Sequence, residues 1–327
     1  MNPSEYSLEE LRFESTLGGE GVETHDRTVP LIDLSEFENR RDAIGGELWA
    51  AASEVGFFQL TGHGLAQADI DNAFAWSERF FALPEAEKSD CALKPGKNAG
   101  WEFRTQKRPS TGTLDQKESY QITRPHMDDI WPASLPDFQP QLLAFERACW
   151  ELGMKVLSCL AERLGFEADF FTRAHDWRQS DYQSTLRLLH YLPLDAAETG
   201  PGIWRAGAHT DFDCLTMVFQ RTGQGGLQLC PGKDAQGQQA WTSVAARDGI
   251  ITCNIGDMLM RWSDDRLKST LHRVRMPKPG EDQGARYSLA FFCQANRDVM
   301  IESPAGKYPP ITAADYLQQR IAANFRP

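Results

Sequence analysis

Three residues of this chain could share one metal ion. His209-Thr210-Asp211 sets an imidazole and a carboxylate two positions apart, and on an extended segment positions i and i+2 project to the same side. A third ligand must come from a distant part of the chain. Among the seven histidines, His272 is the strongest candidate. Within Ser269-Thr270-Leu271-His272-Arg273-Val274 it alternates with Leu271 and Arg273, and so faces away from both. Two imidazoles and one carboxylate on one face leave coordination positions open, a donor set suited to mononuclear non-haem iron(II). Each part alone has a plainer account. A His-x-Asp tripeptide arises by chance in many chains, and a lone strand histidine is more often a hydrogen-bonded core residue. The weight lies in their joint occurrence.

The remaining histidines take structural readings. His25 and His175 sit in polar stretches expected to be exposed. His63 lies between glycines in a turn, where a structural hydrogen bond is expected. His126 belongs to a loop beside Pro125. His190 alternates with Leu189 and Tyr191, and is either core or pocket-lining.

A second constellation is Arg286-Tyr287-Ser288, opening the run Leu289-Ala290-Phe291-Phe292. Arg286 and Ser288 share one face, with Tyr287 on the other. An arginine aimed into a β core is costly unless paired, and its strand offers no acidic residue. A ligand carboxylate would suit the planar guanidinium, with the serine hydroxyl as a further donor. Tyr191 could add a phenol. The alternative is an Arg286 at an exposed strand end, paired with Glu281 or Asp282. Phe212, His190 and Trp204 are open between pocket and packing, and Trp262 is assigned to packing.

These groups need a scaffold. Val29–Leu34 and Phe57–Leu60 read as short strands. Ile44, Leu48, Ala51 and Val55 recur at helical spacing and stop at Gly56; Ile70, Phe74 and Phe81 form a second helical face ahead of Pro84. A longer helix carries Leu142, Phe145, Cys149, Leu152, Val156 and Leu160 and ends near Gly165. Beyond about residue 181, short apolar-alternating segments are punctuated by turn residues: 184–192, 215–219, 226–229, 250–255, 271–274 and 287–292. That texture predicts a β sandwich or jelly roll, closed by a helix over Thr312–Ile321. The predicted class is α+β with a mainly β core. An arm spans 1–28, a mainly helical region 29–180, the β core 181–298 and the C-terminal helix 299–327.

Composition narrows the rest. The 327 residues suffice for a sizeable core without disulfides or a structural metal. A net charge of −12 and the lack of any basic run exclude the electrostatic footprint of a nucleic-acid binder and weaken an anionic-membrane reading. Seven scattered cysteines without a C-x-x-C pair fit a reduced, cytoplasmic setting. The first fifteen residues, MNPSEYSLEELRFES, do not look like a signal peptide, and no apolar run reaches the roughly 18 residues of a membrane span.

Together these residues resemble the isopenicillin N synthase-like branch of the iron(II)/2-oxoglutarate-dependent oxygenases. The likeness runs from Val29 to about Ile321. It rests on an ordered series: Val29–Leu34, Gly56-Phe57-Phe58, Gly62-His63-Gly64, Asp115-x-Lys117-Glu118, His209-x-Asp211, Gly225-Gly226-Leu227-Gln228, Asn254-Ile255-Gly256-Asp257, Ser269-x-x-His272-Arg273-Val274 and Arg286-x-Ser288. The resemblance implies a double-stranded β-helix (jelly-roll) core with iron(II) held by His209, Asp211 and His272. It implies that Arg286 and Ser288, helped by Tyr191, hold the distal carboxylate of 2-oxoglutarate, and that dioxygen oxidises a C–H bond of a small-molecule substrate with release of succinate and CO2. No nucleic acid, membrane or obligate protein partner is expected. The sequence departs from the family pattern twice: Asp213 stands where many relatives carry glycine, and Leu189 where plant relatives often carry Asn. Spacing alone leaves open an isopenicillin N synthase-type oxidase that uses no 2-oxo acid, and a variant that fragments 2-oxoglutarate to ethylene. A binding protein retaining only the fold is disfavoured by the intact triad, and a zinc hydrolase by the lack of a general base near it.

Overall fold

The computed structural model describes residues 21–24, 27–107, 112–195, 197–200, 202–230 and 239–324. In chain order, β1 (Val22–Thr24) and β2 (Leu31–Asp33) precede α1 (Phe37–Glu54), β3 (Phe57–Thr61), α2 (Gln67–Phe81), the short α3 (Glu85–Ser89), β4 (Gly100–Phe103) and β5 (Lys117–Ile122). A 3-10 turn at Arg124–His126 leads to α4 (Phe138–Leu164) and α5 (Phe170–Ala174). Then come β6 (Thr185–Tyr191), β7 (Ala206–His209), β8 (Leu215–Phe219), β9 (Leu227–Cys230), β10 (Ala240–Ser243) and β11 (Ile251–Ile255). The short α6 (Asp257–Trp262), β12 (Leu271–Val274), β13 (Arg286–Cys293), β14 (Met300–Ile301), β15 (Ile311–Thr312) and α7 (Ala313–Asn324) complete the described chain.

Two sheets face each other across a cavity. The larger has the order β2-β3-β11-β8-β13-β6-β5-β4, the smaller β1-β10-β9-β12-β7. Helices α1, α2 and α4 cover the outer face of the larger sheet. There Leu142, Phe145, Cys149, Leu152 and Val156 of α4 join Met217, Phe219, Leu289 and Phe291 in one apolar core. The architecture is a double-stranded β-helix with a helical N-terminal layer, the predicted class.

The three long helices fall where apolar periodicity puts them, and their ends have local causes. Gly56 adopts φ +77° and donates its N–H to Ala51 O, turning α1 into β3. A side chain there would also strike the Lys268 carbonyl, so glycine is needed twice over. Among the strands beyond the sequence expectation, β4 and β5 extend the larger sheet from within the region predicted mainly helical. Of the predicted arm, Val22–Thr24 pairs in parallel with β10, while residues 1–20 and His25 lie outside the described residues.

The expectation of an exposed His175 is corrected. Its ring is fully buried behind α5, with Nδ1 2.8 Å from Phe171 O and Nε2 3.3 Å from Cys293 O. An imidazole between two backbone carbonyls tolerates burial, and its polar neighbours in sequence give no hint of it. His63 fills the structural role expected of it, accepting Leu65 N–H at Nδ1 and lying 3.2 Å from Gly249 O through Nε2. Trp262 is buried packing, as assigned. No helix of the described residues is long and apolar enough to cross a membrane.

Candidate metal centre and its cavity

His209 ends β7 and pairs across the smaller sheet with His272 on β12. Their rings lie 4.4 Å apart, centroid to centroid. Asp211 sits beyond the end of β7 rather than on it. Its Oδ1 is 3.8 Å from His209 Nε2, and its Oδ2 is 3.6 Å from His272 Nε2. One donor atom from each of the three lies within 4.8 Å of the others. Both imidazoles are oriented by backbone: His209 Nδ1 is 2.8 Å from Gly207 O, and His272 Nδ1 is 3.1 Å from Thr270 O. Carbonyls accept only, so each Nδ1 carries the proton and each Nε2 keeps its lone pair toward the cavity.

The Asp211 carboxylate is held as firmly. Thr216 Oγ1 and Asn254 Nδ2 donate to Oδ2 at 2.7 and 2.8 Å, leaving Oδ1 toward the cavity. Asn254 belongs to the Asn-Ile-Gly-Asp series, whose remaining residues hold the loop itself. Asp257 N–H donates to Asp211 O, and Met258 N–H to Asp213 O. Gly256 packs so closely that a Cβ would overlap the Asp213 carbonyl. Asp257 accepts from Thr210 Oγ1 at 3.0 Å and pairs with Arg320 of α7, both side chains being almost fully buried. Asp213 does not adopt a positive φ, so its backbone makes no use of the freedom glycine would give. Burial, with Asp211 nearby, pushes its carboxyl well above the ordinary range.

Arg286 is 2% exposed, which rules out the exposed strand end paired with Glu281 or Asp282. Glu281 pairs instead with Arg275. Arg286 donates to Gln224 O (2.9 Å), Gly225 O (3.0 Å), Gln220 Oε1 (2.9 Å) and Ser288 Oγ (3.4 Å), all neutral. Among the described residues no carboxylate pairs with it. Burial lowers its pKa and Tyr191 opposes that shift; the guanidinium lies 4.7 Å from the Tyr191 ring centroid. Arg205 is pushed down to about 10 by burial and by Arg286. This corner therefore concentrates positive charge, with Asp282 as the carboxylate that acts on Arg205.

The triad, Arg286, Ser288 and Tyr191 all line one cavity of about 560 Å³. Phe212 also lines it. His190 points the other way, bonded to Glu118 (2.8 Å) and stacked on Tyr287, while Trp204 packs against Arg273. The cavity's far wall has no counterpart in the sequence reading. It consists of Asn98, Glu102, Gln121 and Arg187, presented by β4, β5, β6 and the segment before β4. Lys117, which the sequence marks only as part of a motif, pairs with Asp115 at 2.7 Å in the same wall. Alternation on Leu186–Leu192 puts Arg187 on the Tyr191 face, a signal that could have found it.

Residues 29–141 match the family described as non-haem dioxygenase in morphine synthesis, N-terminal, and residues 182–295 match the 2OG-Fe(II) oxygenase superfamily. Proline hydroxylase buaE of Petromyces alliaceus is 32% identical over 318 residues, covering 91% of this chain and 97% of that protein. Validamycin A dioxygenase of Streptomyces hygroscopicus subsp. limoneus is 28% identical, covering 85% and 81%. Among solved structures, a full-length Neurospora crassa protein in complex with alpha-KG and thymine superposes with a TM-score of 0.79 at 29% identity, covering 94% of this chain and 98% of that one.

Proposed function

This chain belongs to the 2-oxoglutarate–iron(II) oxygenase superfamily, and from that premise we propose that His209, Asp211 and His272 hold the iron while Arg286, Ser288 and Tyr191 take the distal carboxylate of 2-oxoglutarate. The protein is an iron(II)- and 2-oxoglutarate-dependent dioxygenase. When bound, iron and 2-oxoglutarate supply oxidative decarboxylation to succinate and CO2, and with dioxygen the oxidation of a substrate C–H bond. The donor set fits that metal: two Nε2 lone pairs and one carboxylate oxygen converge, with Gly207, Thr270, Thr216 and Asn254 bonded to the opposite atoms. The observation that carries the co-substrate assignment is Arg286, a buried cation whose partners are all neutral, in the same cavity as the triad.

The residues divide the work by position. Arg286 neutralises and orients the co-substrate's far carboxylate, with Ser288 as a second donor. Gly207 and Thr270 carbonyls keep the imidazoles in the ligating tautomer. The apolar side chains Ala206, Val218, Leu227 and Val274 line the same cavity and limit water around the chain of the co-substrate. The Neurospora protein is described in complex with thymine, and a small-molecule substrate is the reading for this cavity likewise. Anaerobic addition of iron(II) and 2-oxoglutarate is expected to give the visible charge-transfer band of the chelate, and the band should be lost in Asp211→Ala. A band that persists in that variant sinks the ligand assignment.

A further inference from the structure

The larger sheet gives the cavity a gridded wall. Register sets Gln121, Arg187, Ala290 and Val218 in one row across β5, β6, β13 and β8, and Thr185, Phe292 and Thr216 in the next. Most polar groups of these rows are taken up by one another. Glu102 accepts from Gln121 (2.5 Å), Gln106 (2.8 Å) and Ser119 (2.9 Å). Arg187 donates to Asn98, Asn98 to Thr185, and Thr185 meets Thr123. The row beyond differs. Gln183, two residues ahead of β6, and Gln294, directly after β13, both line the cavity and are 8% and 6% exposed. The Oε1 atom of each accepts no hydrogen bond from the described residues. Buried polar atoms are ordinarily paired, so two adjacent acceptors without a donor stand out.

Both amides are fixed in place and in orientation. Gln183 Nε2 donates to Ala295 O at 2.6 Å. A carbonyl only accepts, so the nitrogen must face it and the oxygen is left over. Gln294 Nε2 lies 3.6 Å from Met258 Sδ; turning that amide would set its oxygen against a sulfur that has no proton to give. Ser184 Oγ bonds both the carbonyl and the N–H of Gln294, at 3.1 Å each, which clips the two strand ends together. The end of β13 is also stitched to the metal loop, since Cys214 N–H donates to Cys293 O (3.0 Å) and Met258 N–H to Asp213 O (3.1 Å). The amide pair thus adjoins the loop that carries Asp211, while Arg286 opens the same strand at its other end. Charge limits what the pair can take. A carboxylate would face two oxygens that only accept. An ammonium would meet the Lys97 and Arg297 side of the wall, where burial and those two cations already hold His126 low. A neutral donor meets neither objection.

We propose that Gln183 and Gln294 form a two-acceptor clamp for the primary substrate, so that this enzyme oxidises a neutral molecule presenting paired N–H or O–H donors, such as a cyclic urea or a vicinal diol. The proposal rests on the assignment of the metal triad made above, since the clamp serves turnover only if the loop it adjoins holds the iron. Each donor of the substrate satisfies a buried oxygen, and a molecule of the same shape without donors leaves both oxygens unpaired. Phe212 and Phe292 line the same cavity and offer apolar faces to the rest of the molecule.

The test pairs each probe with a methylated form that keeps the shape and removes the donors. Ethyleneurea is set against N,N′-dimethylethyleneurea for N–H donors, and vicinal cis-cyclohexanediol against its dimethyl ether for O–H donors. Cyclohexanecarboxylate and cyclohexylamine are the charged controls. Binding is followed by saturation-transfer NMR on the full chain, with and without iron(II) and 2-oxoglutarate, so it does not depend on the chelate. At least one donor-bearing probe should outbind its methylated form by about tenfold and should outbind both charged controls; which pair responds tells N–H from O–H. Gln294→Met is the mild variant, because its nitrogen meets only a sulfur, and Gln183→Met, which also gives up Ala295 O, is the second. In either variant, shown to be folded by its denaturant midpoint, the preference should shrink to about twofold or less. The 2-oxoglutarate titration of Gln294→Met should stay within about twofold of wild type. A panel in which no donor-bearing probe outbinds its methylated form overturns the proposal. So does a full preference in folded Gln294→Met, or a charged control that binds most tightly. Failure of the chelate band to form in wild type, with the donor preference intact, would instead count against the iron and co-substrate assignment alone.

Discussion

The Asp211 carboxylate meets two donors on one oxygen and presents the other to the cavity. Thr216→Val or Asn254→Ala should therefore lower iron(II) affinity by roughly 10- to 100-fold without removing a ligand, read by equilibrium metal titration; affinity equal to wild type would deny these residues an orienting role. Arg286→Gln should raise the 2-oxoglutarate requirement by an amount equivalent to about 2–5 kcal/mol. An unchanged half-saturation in succinate release would remove Arg286 from the co-substrate site. Both residue sets bear on what a sequence discloses. His272 and Arg286-x-Ser288 are legible because alternation on a strand fixes which side chains share a face, whereas Asp211, beyond the end of β7, is legible only through its place in the ordered series of residue types. The bonds of Thr216 and Asn254 to Asp211 are not, since nothing local marks a hydroxyl or amide as aimed at a partner on another element.

Elements act here mainly as clamps. The start of α6 holds the loop 211–214 through backbone bonds from Asp257 and Met258, and α7 reaches back through Arg320 to Asp257 and Thr210. Asp257→Asn takes the carboxylate from a buried cation, which costs about 3–5 kcal/mol. A lowered denaturant midpoint together with weaker iron retention is expected, and an unaltered midpoint would show that the α6–α7 clamp contributes little. Helices α1, α2 and α4 are readable from period and glycine stops. Strands β4 and β5 are not. Every residue of β5 is buried, yet Lys117, Glu118, Ser119 and Gln121 are polar. Their burial is tolerable only because Asp115, Glu102, His190 and Lys88 meet them after the sheet has assembled, so hydropathy carries no strand signal there.

For the molecule as a whole, one core group should contribute a separable part of the acid sensitivity. Burial holds His175 down to about 4 from an ordinary 6.5, despite two carbonyl partners. A depressed histidine is neutral in both states above pH 6.5, so it has no pH effect there. As pH falls, the unfolded chain binds the proton first, and stability drains until about pH 4. By pH 5 this amounts to roughly 2 kcal/mol. Denaturation of wild type and His175→Asn at pH 7.5 and 5.0 should show a smaller pH loss in the variant; equal losses would exonerate His175. Its burial marks the general boundary. The sequence by itself determined what depends on near neighbours: helix faces, strand alternation and the ordered series of candidate site residues. Tertiary structure alone decided which polar groups are buried, and that Arg286 meets only neutral hydrogen-bond partners among the described residues. Those properties arise from side chains brought together across sheets by strands far apart in sequence, and electrostatic energy depends on distance in space, which no local pattern encodes.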